Sequence, residues 1–407
     1  MARRKSKKLT VMLPAWVVVI IVIASIAFYF FYLKDHIGSD TDKNGNNGNF
    51  SAATPAGFEN LPEGGNGNNG NFSAATPAGF ENLPEGGNGN LNIYFLDVGQ
   101  GDCMIIKFPD NKTMIIDSGN VSSSNKQKIK QFTDLLNITV FDYLLLTHAD
   151  ADHVGNFDYV FENYEVKKVF RPNVLSTHAN AANLNEGINV GFSKAQGGTE
   201  ATSKIYCDFL LGLQNEEGCE DVVFNKDSDF GGTYTEGGRD YEYTFDFLTP
   251  VAEITDIKYK NANDYSPIVS LTYNGTVILL TGDAESVMEN EFLNGYKNNY
   301  PDCDLIKIGH HGAETSSKQE FLSAVKPEYA VIQCGVTTSY KHPRQLILDR
   351  LQAMQTSVYR TDTNGDIAVS VSYADDYKFS SDKIYCVKSD MTENYIGGDT
   401  VYNNSHS

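Results

Sequence analysis

Four side chains able to hold a metal ion fall within six positions of the run LTHADADHVGN, residues 146–156: His148, Asp150, Asp152 and His153. Imidazole and carboxylate hold zinc, manganese or iron while leaving positions open for water. No thiolate accompanies them, so a closed structural zinc site is not indicated. The plainer reading is a solvated acidic turn with two incidental histidines. It is the weaker one, because further histidines and another acid recur downstream in equivalent places. Asp97 sits in FLDVGQGD, where Gly99 and Gly101 permit a tight turn. Asp283 ends the apolar run ILLTGDA, His310 and His311 end LIKIGHHG, and His342 precedes Pro343 in KHPRQ. Taken singly, a histidine at a strand end is more often a satisfied polar group than a ligand. Together, five of the eight histidines and four acids lie at or near predicted strand ends, where an open α/β site gathers its ligands.

These side chains need strands and turns to carry them. Phe141–Leu146 has the length and composition of a buried parallel strand, with a helix expected near His153–Tyr164. Before it come strand-like runs at Asn92–Asp97, Cys103–Phe108 and Thr113–Asp117 and a helix at Ser124–Leu136. Thr177–Asp240, rich in Asn, Gly and acids, is expected to be an irregular insertion with one helix at Ala201–Leu213. Strands are predicted at Tyr243–Leu248, Ile268–Tyr273, Val277–Thr281, Leu305–Gly309, Tyr329–Cys334, Val358–Arg360 and Ile367–Tyr373. Helices are predicted at Ala284–Tyr296, Lys318–Val325 and Pro343–Met354. Strands first and then alternating helices, twice over, predict two mixed sheets packed face to face with helices outside.

The chain has 407 residues, 41% of them hydrophobic, and a net charge of −20. That charge excludes broad binding of nucleic acid through a basic face, but not a phosphodiester held through bound metal. None of the six cysteines forms a CxxC, and Cys207 with Cys219 is the one pair worth testing as a disulfide.

Residues 1–10 are basic, and Val11–Leu33 is a nearly unbroken apolar run of 23 residues that suits a membrane span. The flanking charges place the N-terminus in the cytoplasm and the bulk outside; a cleaved signal peptide is the rival reading. Residues 44–65 and 66–87 are identical copies of NGNNGNFSAATPAGFENLPEGG, too poor in apolar residues to build a core. The region 34–90 is therefore expected to be a flexible tether, with a cell-wall binding repeat as the alternative. Residues 91–390 form the expected catalytic domain and 391–407 a disordered tail.

The runs FLDVGQGDCMII, LTHADADHVGN, NDYSPIVSL, ILLTGDA, LIKIGHHGA, KHPRQ and RTDTNGDI resemble the metallo-β-lactamase fold superfamily. The likeness is to the extracellular hydrolase domain of ComEC-type competence proteins and related secreted hydrolases in particular. It spans about residues 91–373. The resemblance implies a four-layer αββα sandwich with two divalent metal ions. His148 and Asp150 would bind one, Asp152 and His153 the other, and Asp283 would bridge them. One of His310 and His311 would complete a coordination sphere; strand alternation lets only one reach. Asp97 would orient a ligand or water beside the metals, and Asn263, Ser266 and His342 would line the substrate pocket. The familiar pattern has a histidine where Asp150 stands and another between the halves of the fold, where this chain offers only His178. The oxygen-rich set shifts the expected metal from strict zinc to zinc or manganese.

The resulting expectation is a membrane-anchored extracellular hydrolase in which paired cations activate water. Asp152, Asp97 and His342 are its catalytic side chains. Its substrate would be a phosphodiester, in DNA or a cell-wall polymer, and no stable protein partner is implied. The alternatives are hydrolysis of a carboxylic ester, lactone or thioester on the same fold, and a non-catalytic wall-binding module.

Overall fold

The structure is a computed structural model that describes residues 86–387, apart from 298, 337–338 and 376–377, together with a backbone strand at Tyr395–Ile396. The expected membrane span, nearly all of the tether and most of the tail lie outside the described residues. Among the described residues no helix is long and apolar enough to cross a membrane.

Alternation of large apolar side chains builds two sheets with both faces buried. In Asn90–Phe95, Leu91, Ile93 and Phe95 point one way and Tyr94 the other; Met104, Ile106, Met114 and Ile116 repeat the pattern. The first sheet has nine strands. In spatial order they are Glu220–Val223, Lys168–Arg171, Tyr143–Leu145, Thr113–Ile116, Met104–Lys107, Asn90–Phe95, Asp366–Ser372, Ile384–Val387 and Tyr395–Ile396. The first four run parallel and the rest are antiparallel. The second sheet has seven, in the order Phe230–Glu236, Arg239–Phe247, Val269–Tyr273, Thr276–Leu280, Leu305–Lys307, Tyr329–Ile332 and Ser357–Arg360. Its first half is antiparallel and its second half parallel.

The two sheets share one core, in which Phe95, Met104 and Val369 of the first meet Phe245, Leu271 and Val331 of the second. Burying one such side chain contributes about 1.5–3 kcal/mol. Two further cores lie on the outer faces. Ile129 and Phe132 of helix Ser123–Leu136 and Phe209 and Leu213 of helix Lys204–Asn215 cover the first sheet. Met288, Phe292, Phe321, Ile347 and Leu351, from three helices, cover the second. The helix Ser123–Leu136 starts where the Ser122 hydroxyl accepts the Ser124 N–H and stops at Asn137 in the left-handed region.

Several local expectations differ from the fold. The helix expected over 153–164 is two, Ala151–Val154 and Phe157–Asn163. At the break, Asn156 donates its side-chain amide to the carbonyls of Ser118 and Asn120, and a Cβ on Gly155 would meet the Gly119 carbonyl at 2.3 Å. The insertion is less irregular than its composition suggests, since Glu220–Val223 and Phe230–Glu236 each edge one of the sheets. In the tail, Tyr395–Ile396 pairs with the strand Ile384–Val387. Cys207 and Cys219 are both free thiols, so the disulfide does not form.

Gly101 carries a close backbone approach beside the candidate site. Its φ is +133°, and a Cβ there would lie 2.4 Å from the Asp152 carbonyl oxygen. Gly101→Ala should cost roughly 2 kcal/mol or more in denaturant unfolding, combining backbone strain with a contact the backbone cannot relieve. Gly99→Ala, also at positive φ but facing open space, should cost only about 1 kcal/mol. Equal losses at the two positions would show that the approach to Asp152 is not constrained.

Candidate metal centre

Five chain segments deliver polar side chains from strand C-termini of both sheets to one place. The first sheet supplies Asp117 after Thr113–Ile116, and Thr147 to His153 after Tyr143–Leu145. The second supplies Asp283 after Thr276–Leu280, and His310 and His311 after Leu305–Lys307. The turn after Asn90–Phe95 adds Asp102, whose N–H donates to the Asp152 carbonyl at 3.2 Å.

Each buried imidazole is held by Nδ1 and turns Nε2 inward. His153 Nδ1 lies 2.7 Å from Asp117 Oδ2. His311 Nδ1 lies 3.0 Å from the Gln333 carbonyl oxygen. His148 Nδ1 lies 3.1 Å from Thr147 Oγ1 and 3.2 Å from Ser266 Oγ. The three Nε2 atoms and Asp283 Oδ1 are buried and make no hydrogen bond. Asp283 Oδ2 is 3.3 Å from both His153 Nε2 and His311 Nε2. The donor atoms of His148, His153 and Asp283 lie within 4.8 Å of one another, and so do those of Asp152, His153 and His311. The two groups share His153 and so offer two adjacent candidate positions for a cation.

These orphaned donors fit divalent metal. Buried polar atoms without partners are costly, and here they converge. Five carboxylates, of Asp102, Asp117, Asp150, Asp152 and Asp283, belong to this region, and one buried ammonium, that of Lys307, meets Asp102 and Asp283 directly. Two divalent cations together with Lys307 would balance them with all three imidazoles neutral.

Without metal, protons do part of that work. Burial opposes charge on His153, but Asp283 and Asp117 outweigh it and hold the imidazole well above its usual range. His311 is raised likewise against burial by Asp283 and Asp102. Burial would raise Asp283, yet His153 and His311 bring it well below the carboxylate range. Burial and the neighbouring His153 push His148 down to about 3.

The structure separates the two adjacent histidines by a route other than strand alternation. The strand ends at Lys307, and both residues adopt left-handed backbone, with φ of +47° and +54°. His311 is buried in the cluster. His310 is a quarter exposed, 3.0 Å from Glu285 Oε1 and 3.8 Å from Asp283 Oδ2. Asp150 stands at the rim, half exposed, 3.9 Å from His148 Nε2.

Two expected positions, Asp97 and Ser266, are corrected. Asp97 does not face the cluster: it accepts the Gly99 N–H, and its own N–H donates to Asp366. The two glycines turn the chain so that Asp102, five residues on, enters instead. Ser266 is wholly buried and supports His148 rather than lining the pocket; its Oγ also accepts the Asp283 N–H. Asn263 binds Glu285 and approaches His310. His342 is half-buried, its ring 5.6 Å from that of His310 and stacked on the exposed Tyr340. Burial, His311 and His310 push it down to about 4. His178 caps a short helical turn through the Asn180 N–H and joins none of the converging groups among the described residues.

Asp102, Asp117, Lys307 and Gln333 escaped the sequence reading. Asp117 carries the signal that revealed Asp283, an acid ending an apolar strand. Lys307 is a lone cation inside LIKIG. Gln333 also donates to the Leu96 and Cys103 carbonyls, tying the second sheet to the first. Outside the cluster, Gln100, Asn120, Asp150, Asp152, Ser339 and Tyr340 line an open groove of about 470 Å3.

The raised imidazoles set a pH signature for the metal-free protein. Their stabilisation is fully present below the unfolded histidine value of about 6.5 and is lost as pH rises through the higher folded values. In chelator, the thermal midpoint should therefore fall as pH rises above about 6.5, and saturating metal should flatten that limb. A flat profile in chelator would mean that protonated His153 and His311 do not support the fold.

Comparison with known proteins agrees with this geometry. Residues 96–201 match the family described as the metallo-beta-lactamase superfamily. ComE operon protein 3 of Bacillus subtilis (strain 168) is 28% identical over 67% of this chain and 32% of its own length. Competence protein ComA of Neisseria gonorrhoeae is 27% identical over 66% of this chain and 30% of its own. The chain thus spans about a third of the length of these relatives. Among solved structures, a mutant of CmlA beta-hydroxylase is similar at 10% identity and a TM-score of 0.40, over 69% of this chain and 54% of that one. Residues 96–201, with the HADADH run at their centre, match the metallo-β-lactamase superfamily, and the chain is similar, at modest identity, to proteins of the ComEC family.

Proposed function

We propose that this chain is a metal-dependent hydrolase that cleaves phosphodiesters, using two divalent cations, zinc or manganese, held by His148, Asp150, Asp152, His153, Asp283 and His311. The observation that carries the reading is the convergence of three buried, hydrogen-bond-free Nε2 atoms on Asp283. Bound there, two cations supply an activated water and offset charge developing on the reacting oxygens.

The chain's own groups prepare that chemistry. Asp117, Gln333, Thr147 and Ser266 fix the three rings by their far nitrogens, which orients Nε2 and leaves it free. Asp150 and Asp152 connect the centre to the groove. His342, brought down to about 4, meets a substrate at neutral pH as an uncharged imidazole that donates one hydrogen bond, not as an acid. Gln100 Nε2 lies 3.5 Å from its Nδ1 and helps to set which nitrogen faces out.

The groove residues named include no lysine or arginine, so a phosphate would be gripped by the cations. DNA is one substrate class, supported by the competence names of the relatives; a phosphodiester of a cell-wall polymer is the other. The apolar run Val11–Leu33 supports a single-pass anchor with the domain outside the cell, or secretion if that run is cleaved.

The purified chain should hydrolyse bis-p-nitrophenyl phosphate with added manganese or zinc and lose activity on chelation. Asp152→Ala and Asp283→Ala should each lower kcat/KM by roughly 100-fold or more, beyond the ~10–100-fold typical of changes one layer out. Asp117→Asn should fall within that smaller range, with metal affinity reduced in step. Turnover of carboxylic esters or lactones alone would move the reading to carbonyl hydrolysis. Metal binding without any turnover would leave a binding module.

A further inference from the structure

Lys307 is the last residue of the strand Leu305–Lys307, and its whole side chain is buried. Its ammonium ends in a cage of oxygens. Asp102 Oδ2 is its closest contact, the Gly282 carbonyl oxygen is 2.7 Å away and Asp283 Oδ1 3.8 Å away. Asp102 is equally buried, and its Oδ1 lies 3.3 Å from His311 Nδ1. The donor atoms of Asp102, Asp283 and His311 lie within 4.8 Å of one another, as close as those of the two groups described above. A carboxylate, a carbonyl and a second carboxylate are the ligands of a hard divalent cation.

We propose that Lys307 is a resident cation: its ammonium fills a third cation position, on the buried side of the metal centre, and keeps Asp102 from coordinating metal. This rests on reading the cluster as a metal centre. An ammonium offers three donors and cannot dissociate from the chain. The position is therefore occupied whatever the metal supply, and Asp102 is left to orient His311. The arrangement also explains a fifth carboxylate in a centre with ligands enough for two metals. Asp102 without Lys307 would be a buried charge with no permanent partner.

The test compares the full chain with Lys307→Ala and with Lys307→Ala/Asp102→Asn, each purified in manganese. Bound manganese per chain is measured after removal of free ion, and thermal unfolding is followed against manganese concentration. Lys307→Ala should hold one more manganese ion than the parent. Its midpoint should keep climbing over concentrations at which the parent has levelled off. The double variant, lacking both the ammonium and the carboxylate, should match the parent in both measurements. Equal stoichiometry in Lys307→Ala and parent would overturn the proposal. So would an extra ion in the double variant, or a Lys307→Ala chain that stays unfolded in manganese while the double variant folds. The comparison is a difference between chains. A parent that binds no metal would defeat the hydrolase reading, while the extra ion in Lys307→Ala still decides this one.

Discussion

Crowding of carboxylates into a space sealed from water is the constraint on which this domain turns. Asp102, Asp117 and Asp283 are almost wholly buried, and ionised carboxylates in such a place are tolerated only with matched positive charge or protonation. Everything nearby answers that demand. Asp117 accepts the Thr147 N–H and hydroxyl as well as facing His153. Asp283 gathers two imidazoles, and Asp102 takes the ammonium. The fold supplies the rigidity: the ligand-bearing segments start from strands buried on both faces, in two sheets that share one core. A cluster of this charge on a mobile loop would swing into solvent rather than hold cations.

Much of this was legible in the chain. Apolar alternation marked most strands, and the spacing of His148, Asp150, Asp152 and His153 marked the ligand turn, because both depend on local sequence. What escaped depends on backbone geometry or on distant partners. His310 and His311 follow an apolar run, and nothing in LIKIGHHG says that both take left-handed backbone. The structure shows a tight turn, closed by Gly312 at φ +83° against Pro343, so the two side chains do not alternate as they would in a strand. Asp97 and Asp102 bracket the same pair of glycines. Which acid enters is decided by how the turn packs on the Asp152 carbonyl, a contact 50 residues away in sequence.

The insertion misled for a different reason. Its abundance of Gly, Asn and acids is that of loops, yet edge strands need only one apolar face and tolerate polar residues on the other. Phe230 stacks on Tyr143 of the other sheet and on Phe245 of the neighbouring strand, so one aromatic at the start of FGGTYTE is enough to seat the strand. Composition averaged over the segment hides such a residue.

Acidity and metal use fit together in a way the net charge alone obscures. A surface dominated by carboxylates raises the local concentration of divalent cations and repels extended polyanions. Repulsion between exposed charges fades beyond about 10 Å at moderate salt, so it would act on the length of a polymeric substrate more than on a single phosphate at the centre. On the proposed reading, affinity for a phosphate would come from the cations, because Gln100, Asn120 and Ser339 bring hydrogen bonds but no charge. On that reading, such a groove would hold a phosphodiester by its fit to two metals, without the basic track that long nucleic acid requires. That favours a substrate presented as an end or a small ester over one gripped along its backbone.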